Sequence, residues 1–158
     1  MELIIQEIAD KITTSYEKEV TNMLLEGKGI SDFILALKKT LDDVGVILAK
    51  EALETINEVY KSSEDRKKHW VVKEKGAAKT LTTIFGEVKY KRAYYKNKRT
   101  GEYCYLSDEA LGIEVHDRLD ASLKVKLIED ALTMSYAQSA KHASGAVKLT
   151  AQTVMNSI

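Results

Sequence analysis

Proline is absent from this chain, and among its 158 residues there is a single cysteine and a single tryptophan. Each scarcity excludes something. Without proline, glycine is the only strong punctuation, so helices can run long and the eight glycines mark most of the joints. The lone Cys104 cannot make an internal disulfide and suits a reducing compartment, with a buried or idle thiol as its ordinary role. No apolar run approaches the roughly 18 residues of a membrane-spanning helix. The amino terminus, MELIIQEIAD, places acid after three apolar residues instead of a basic stretch before a long apolar one. A cytoplasmic protein with no membrane partner is the expectation. With 44% hydrophobic residues the chain has enough apolar side chains for one compact domain or two small ones.

Net charge is also missing, since 24 Lys and Arg balance 24 Asp and Glu, but the balance hides a segregation. Lys61–Arg99 holds 13 basic against 4 acidic residues, a net of +9, whereas residues 1–60 carry −6 and residues 100–158 carry −3. Its densest part is VKYKRAYYKNKR, Val88 to Arg99, with six Lys or Arg and three Tyr in twelve positions. Such asymmetry in a neutral chain points to a polyanion as partner, or to an acidic surface of the protein itself.

Apolar spacing outlines the elements. Ile5, Ile8, Ile12, Tyr16, Val20 and Met23 recur every three or four residues and predict an amphipathic helix that Gly27 and Gly29 end. Ser31 and Asp32 then supply a cap and a first-turn acid for a second run, Ile34, Leu37, Leu41, Val44, Leu48, Ala52, Ile56 and Val59, reaching about Ser62. A helix of about 30 residues spans roughly 45 Å. Its 3-4-3-4 spacing from Ile34 to Leu48, followed by a four-residue step, fits packing on the first helix in a hairpin and also fits a dimerising coiled coil. A homodimer through this helix is therefore one of the partners to expect.

After Lys61 the period falls to two. Trp70–Val72, Leu81–Phe85 and Val88–Tyr95 read as strands of a small antiparallel meander, with Gly86-Glu87 as a tight hairpin turn and Lys98-Arg99-Thr100-Gly101 as a longer one. Alternation puts Val88, Tyr90, Arg92 and Tyr94 on one face and Lys89, Lys91, Ala93 and Tyr95 on the other. Solvated lysines that protect an exposed strand account for such a strip. So does phosphate contact, because the alternate Lys89 and Lys91, continued by Lys96, Lys98 and Arg99 into the turn, present cations at a spacing comparable to successive phosphates, with Arg92 as a further DNA-binding candidate. Tyr90 and Tyr94 read as packing on helices in preference to stacking on bases.

Helical spacing returns in the short SDEALGI element and in Leu119, Leu123, Leu127, Ala131 and Met134. Tyr136–Ala143 forms another short helix, Ser144-Gly145 closes it, and Thr150 caps a last one from Ala151. Three helices with a short turn before the last have the outline of a helix-turn-helix and equally of a plain three-helix packing unit. In the first case Thr150, Gln152, Thr153 and Asn156 are the DNA-reading candidates, Gln152 suiting adenine, while Val154 and Ile158 point inward.

Metal and catalytic signals are weak. His69, His116 and His142 lie far apart with no ligand spacing around them. The acids Asp108, Glu109, Glu114, Asp117 and Asp120 read as caps and solvated turns, Asp108 and Asp120 standing just before helical runs. No phosphate-binding glycine loop or catalytic triad context is present.

The stretch TLTTIFGEVKYKRAYYKNKRTGEYCYLSDEALGI, with SYAQSAKHAS and LTAQTVMNSI after it, resembles the amino-terminal region of ISLre-type insertion-sequence transposases, a group long catalogued as an uncharacterised protein family. The resemblance implies a DNA-recognition region followed by a ribonuclease-H-like domain whose acidic triad holds two divalent metals. More distant transposases carry paired cysteines after the equivalent strand, where zinc can bind; Cys104 stands alone here.

The expectation is an α+β chain in three parts: a helical hairpin and possible dimerisation region over 1–63, a basic β-meander over 64–107, and a helix-turn-helix-like unit over 108–158 that is cut short at its end. Its expected function is to bind double-stranded DNA at the ends of an insertion sequence. The chain itself is expected to have no catalytic residues, metal ligands or cofactor, magnesium being expected only for the missing catalytic domain. Two other readings remain: a helical dimerisation module whose basic sheet binds an acidic protein or RNA, and a non-functional remnant of a decayed element.

Overall fold

The computed structural model describes residues 2–143 and 147–157. The architecture is α+β: two long helices, α1 (Glu2–Glu26) and α2 (Ile30–Ser62), precede a short α3 (Glu64–His69) and a three-stranded sheet. The strands are β1 (Trp70–Thr83), β2 (Gly86–Asn97) and β3 (Tyr103–Cys104), followed by α4 (Leu106–Ala110), α5 (Ala121–Ala131), α6 (Tyr136–Ala143) and α7 (Ala151–Met155). The chain divides into two compact units, Met1–Val46 and Ile47–Ile158, with the boundary inside α2.

In the first unit, Gly27 takes φ +67 and stops α1, a left-handed position that side chains with a Cβ resist. The cap of α2 is Gly29, not Ser31, and the Asp32 carboxylate reaches back to the Gly29 amide at 3.0 Å. The two helices meet through Tyr16 edge-on to Phe33, a 2.6 Å bond between the Ser15 and Thr40 hydroxyls, and a Lys11–Asp43 ion pair at 3.3 Å. The contact stripe of α1 is rotated from the expected one. Ile4, Ile8, Ile12, Val20 and Met23 are half-buried, whereas Ile5 and Tyr16 are largely exposed. Two helices have too little shared surface to cover all their apolar residues, and among the described residues of this unit only Thr40 and Val44 are fully buried.

The second unit is built on an antiparallel sheet in the order β1-β2-β3. Trp70–Val72 and Leu81–Phe85 were expected as separate strands, but Trp70–Val72 and Leu81–Thr83 belong to one strand, because β2 is long enough to pair with all of it across irregularities between Val72 and Ala77. The hairpin turn is Ile84-Phe85, two residues earlier than Gly86-Glu87, with Thr83 paired to Gly86. Thr83 explains this placement: its hydroxyl donates to the Gly86 carbonyl at 3.0 Å and accepts from the Phe85 amide at 3.1 Å. The later turn forms as expected, with Gly101 at φ +78.

Helix α2 closes the outer edge of β2. The Glu54 carboxylate accepts from the Lys91 amide at 3.0 Å and the Asn57 carbonyl oxygen accepts from the Ala93 amide at 2.8 Å. Two side chains three residues apart on one helix face thus stand in for a neighbouring strand. On the far edge of β1, Thr82 bonds through its backbone to Arg118 and Asp120 at 2.7 and 2.9 Å, which ties the sheet to the helices that follow.

Those helices share a core of Leu119, Leu123, Leu127, Ala140, Ala143 and Val154. Asp120 caps α5, as its position suggested, and the Thr150 hydroxyl caps α7 by accepting from the Thr153 amide. Ser135 and Gln138 cap α6 reciprocally. Small residues on α6 allow close approach, and Ser139 donates to the Leu127 carbonyl at 3.0 Å. The closing role expected of Ser144-Gly145 and the inward Ile158 lie outside the described residues.

Candidate nucleic-acid interface

The alternation of β2 holds from Val88 to Arg92, where Val88, Tyr90 and Arg92 are buried and Lys89 and Lys91 exposed. Lys89 stands 3.9 Å from Glu87, a solvated pair of little energetic consequence. Lys91 runs its aliphatic stem over Gly76, and its register partner is Ala78, while Lys89 faces Thr80. Small neighbours leave both ammonium groups accessible on a low surface. Beyond Arg92 the pattern breaks, since Ala93 and Tyr95 are buried and Tyr94 is half-buried against Tyr103 and Tyr105.

Arg92 is the one member of the expected basic row that turns inside. Its guanidinium pairs with Asp108 and lies over the Tyr105 ring, 3.5 Å from the centroid. Around the same carboxylate, Tyr90 donates its hydroxyl at 3.0 Å and the Lys79 ammonium sits at 3.8 Å, itself donating to the Glu114 carbonyl at 2.7 Å. Asp108 is therefore the buried anchor of a polar cluster, not a solvated cap. Sequence order concealed this because Asp108 lies 16 residues after Arg92, and only the sheet-to-α4 packing joins them. Burial pushes the Tyr90 phenol up to about 12, and burial, then the neighbouring Arg92 charge, holds Lys79 below the ordinary lysine value. Burial likewise lowers Arg92.

The remaining cations gather at the other end of the hairpin. Lys96 is half-buried with its ammonium 5.4 Å from the Tyr103 ring centre, while Lys98 and Arg99 are exposed in the turn. Asn97 shapes that turn by accepting from the Arg99 and Thr100 amides at 2.9 and 3.1 Å. The turn is tied to α3 twice: the Lys98 amide donates to the His69 carbonyl at 2.9 Å and its ammonium to the Lys67 carbonyl at 2.5 Å. Helix α3 thereby brings exposed Lys67 and Lys68 beside Lys98 and Arg99. Neither lysine was among the expected site residues. The signal for α3 was present, however, as Ser63 followed by Glu64 and Asp65, and the Ser63 hydroxyl does accept from the Arg66 amide.

In the three-helix unit, Val154 is fully buried as expected, and Gln152 on α7 and Asn156 just past its end are exposed, joined by a 2.9 Å bond from the Gln152 side-chain amide. Thr150 is exposed and Thr153 half-buried, their hydroxyls 3.0 Å apart. The acids follow separate structural roles: Asp117 pairs with Lys124 and accepts from the Glu114 amide, which hold its carboxyl below the usual range, and Asp120 caps α5. Among the described residues no three His, Cys, Asp or Glu side chains converge as metal ligands. No helix of the described residues is long and apolar enough to cross a membrane.

The chain is a member of the uncharacterised protein family UPF0236, whose family model matches residues 23–158. It is 38% identical over 137 residues to the UPF0236 protein TTE2489 of Caldanaerobacter subterraneus subsp. tengcongensis, covering 87% of this chain and 29% of that protein. A further UPF0236 protein of that organism, TTE0402, is 38% identical over 137 residues, with 87% of this chain and 27% of the relative covered. The chain thus spans about a third or less of the length of these relatives. No solved structure matches it.

Proposed function

We propose that this chain is the DNA-binding amino-terminal part of an insertion-sequence transposase of the ISLre type, and that it binds the ends of the element. The observation that carries this reading is the clustering of Lys67, Lys68, Lys98 and Arg99 at one end of a hairpin that also exposes Lys89, Lys91 and part of Lys96. Two of these cations have acids beside them at the surface, Glu87 at 3.9 Å from Lys89 and Glu64 at 2.5 Å from Lys67, and solvent screens such exposed pairs. Such a row positions a protein on phosphates, while base edges are read elsewhere. The exposed Gln152 of α7 and Asn156 just past its end, with Thr150 and Thr153 near its start, are the reading positions in this proposal. Arg92 has no part in it. Strand cleavage belongs, on the same reading, to the portion of the longer relatives that this chain does not span.

The test is fluorescence anisotropy on a random-sequence 20-base-pair duplex across a salt series, with a single-stranded RNA and an acidic peptide as competitors. Five phosphate contacts from Lys89, Lys91, Lys96, Lys98 and Arg99 give a slope of log K against log salt of about −4.5. Lys89→Glu with Lys91→Glu flattens it. A folded double variant with the parent slope, or a stronger preference for RNA or peptide, removes the proposal. With magnesium or manganese present, the duplex is shifted and left uncut.

A further inference from the structure

Lys79, Arg92 and Arg118 line a cavity of about 550 Å³ at the outer edge of β1, beside the 115–118 loop. The first two are buried and the third is exposed. Asp108 is the carboxylate paired with both buried cations, so one positive charge is left over beneath the cavity. The Lys79 ammonium donates to the Glu114 and Val115 carbonyls at 2.7 and 3.3 Å but stands 3.8 Å from Asp108, beyond hydrogen-bond length, and the buried Nε of Arg92 has no acceptor among the described residues. Arg118 adds a second charge, because its guanidinium makes no ion pair or hydrogen bond among the described residues. Each of the two acids in the lining has a lysine of its own: Asp117 pairs with Lys124 at 2.5 Å and Glu87 faces Lys89 at 3.9 Å.

Neutral donors lie along the same edge. Thr82 turns its N–H and C=O away from β2, towards Arg118 and Asp120, and the register runs unbroken from Thr82 back to Ala78. Antiparallel alternation therefore points the Thr80 and Ala78 amides outward as well, on a stretch of edge that also borders the cavity. The Thr80 hydroxyl is exposed and makes no bond among the described residues. Anchoring Asp108 needs one cation, which Arg92 supplies. A second ammonium beside it adds electrostatic cost, and burial, then the Arg92 charge, hold Lys79 below the ordinary lysine value. An anion in the cavity relieves that cost.

We propose that this cavity binds a tetrahedral oxyanion of the phosphate class, held by Lys79, Arg118, the Thr80 hydroxyl and the edge amides, with Arg92 adding charge from beneath. A dianion matches the two uncompensated charges. Its four oxygens can accept from donors that converge from a strand edge, a loop and the interior, whereas the two oxygens of a carboxylate lie in one plane. Outward backbone amides beside cations are a recurrent anion cradle. The site lies inside the second compact unit, apart from the exposed lysine row, and stands whether or not the hairpin binds DNA.

Phosphorus NMR and titration calorimetry of the 158-residue chain with inorganic phosphate, at constant ionic strength, test it. One saturable site per chain is expected, with acetate bound about tenfold more weakly. Arg118→Ala, at an exposed position without bonds, keeps the far-UV circular dichroism of the parent and weakens phosphate binding about tenfold, and the equally exposed Thr80→Val weakens it about threefold. Lys89→Ala with Lys98→Ala, on the lysine row, changes it by less than about twofold, since solvent screens those charges. A duplex with a 5′-phosphate competes better than the same duplex without one where the phosphate is a nucleic-acid end, and the two compete equally where it is a free anion; either result supports the site and names its source. Absence of saturable binding, equal affinity for acetate, or a folded Arg118→Ala variant with the parent's affinity overturns the proposal. So does loss of phosphate binding in the Lys89→Ala/Lys98→Ala variant, which moves the anion to the lysine row.

Discussion

The guanidinium of Arg92 and the carboxylate of Asp108 form an ion pair inside the fold, with side chains 7% and 3% exposed, where sequence alone places one on a basic surface and the other in a solvated turn. Lys79 shares the same carboxylate, so the interior holds two cations to one anion, compensated by the Tyr90 hydroxyl, the carbonyls of Glu114 and Val115 and the face of Tyr105.

Removing one partner of such a pair leaves an uncompensated buried charge, and Asp108→Ala is expected to lower unfolding free energy by about 3–5 kcal/mol. Arg92→Ala falls in the same range. Lys89→Ala, at an exposed position, changes stability by less than about 0.5 kcal/mol. Urea titration of the three variants checks the contrast, and equal small effects would show that the pair contributes nothing.

Asn57 is buried on α2 and holds the Ala93 amide at 2.8 Å. Asn57→Leu orphans that donor and is expected to cost about 1–3 kcal/mol, with faster hydrogen exchange at Ala93 than at the paired residues of β1. Unchanged exchange at Ala93 would mean that another group closes the edge.

Burial, aided by Glu109, pushes the Cys104 thiol from its ordinary value of 9.0 up to about 11. At pH 8 only about one thiol in a thousand is then ionised, so alkylation is expected to be far slower than for a free cysteine. The sign of the linked stability follows. The folded state holds this proton more tightly than the unfolded one, so the contribution is complete below pH 9 and is lost as pH rises from there through about 11. Cys104→Ser removes that part of the alkaline decline in chemical denaturation.

Gly27 ends α1 at φ +67 with nothing within 4 Å of where a Cβ would stand. Gly27→Ala therefore meets no clash, and its expected cost of about 1–2 kcal/mol is conformational alone. Gly27→Asn costs less, because asparagine tolerates this region better. Equal melting temperatures for the parent and both variants would show that the joint relaxes.

In the last three helices, stability and DNA reading separate by residue. Leu127→Ala, in the shared core, is expected to cost about 2–5 kcal/mol. The exposed Gln152→Ala leaves stability unchanged but weakens binding by about 1–3 kcal/mol on a duplex selected from a random pool, with little change on unselected DNA. Equal losses on both duplexes would make Gln152 a backbone contact.

Local chemistry determined much of this protein without any tertiary information. The absence of proline, the apolar periods, Gly27, Gly101, Asp120 and Thr150 set the helices, the later turn and two caps, because each acts on its own backbone within a few residues. The α+β class follows from the change of period after Lys61. Tertiary packing decided which side of each element faces inward. Rotation of the α1 stripe, the exposure of Ile34, Leu41 and Leu48, and the burial of Arg92 all depend on neighbours distant in sequence. Alternation identifies the two faces of β2, but burial of its arginine required a carboxylate, a hydroxyl and an aromatic face to converge from β2, α4 and the residue before it. Likewise, Lys67 and Lys68 join Lys98 and Arg99 only because backbone and side-chain bonds tie α3 to a turn some thirty residues away.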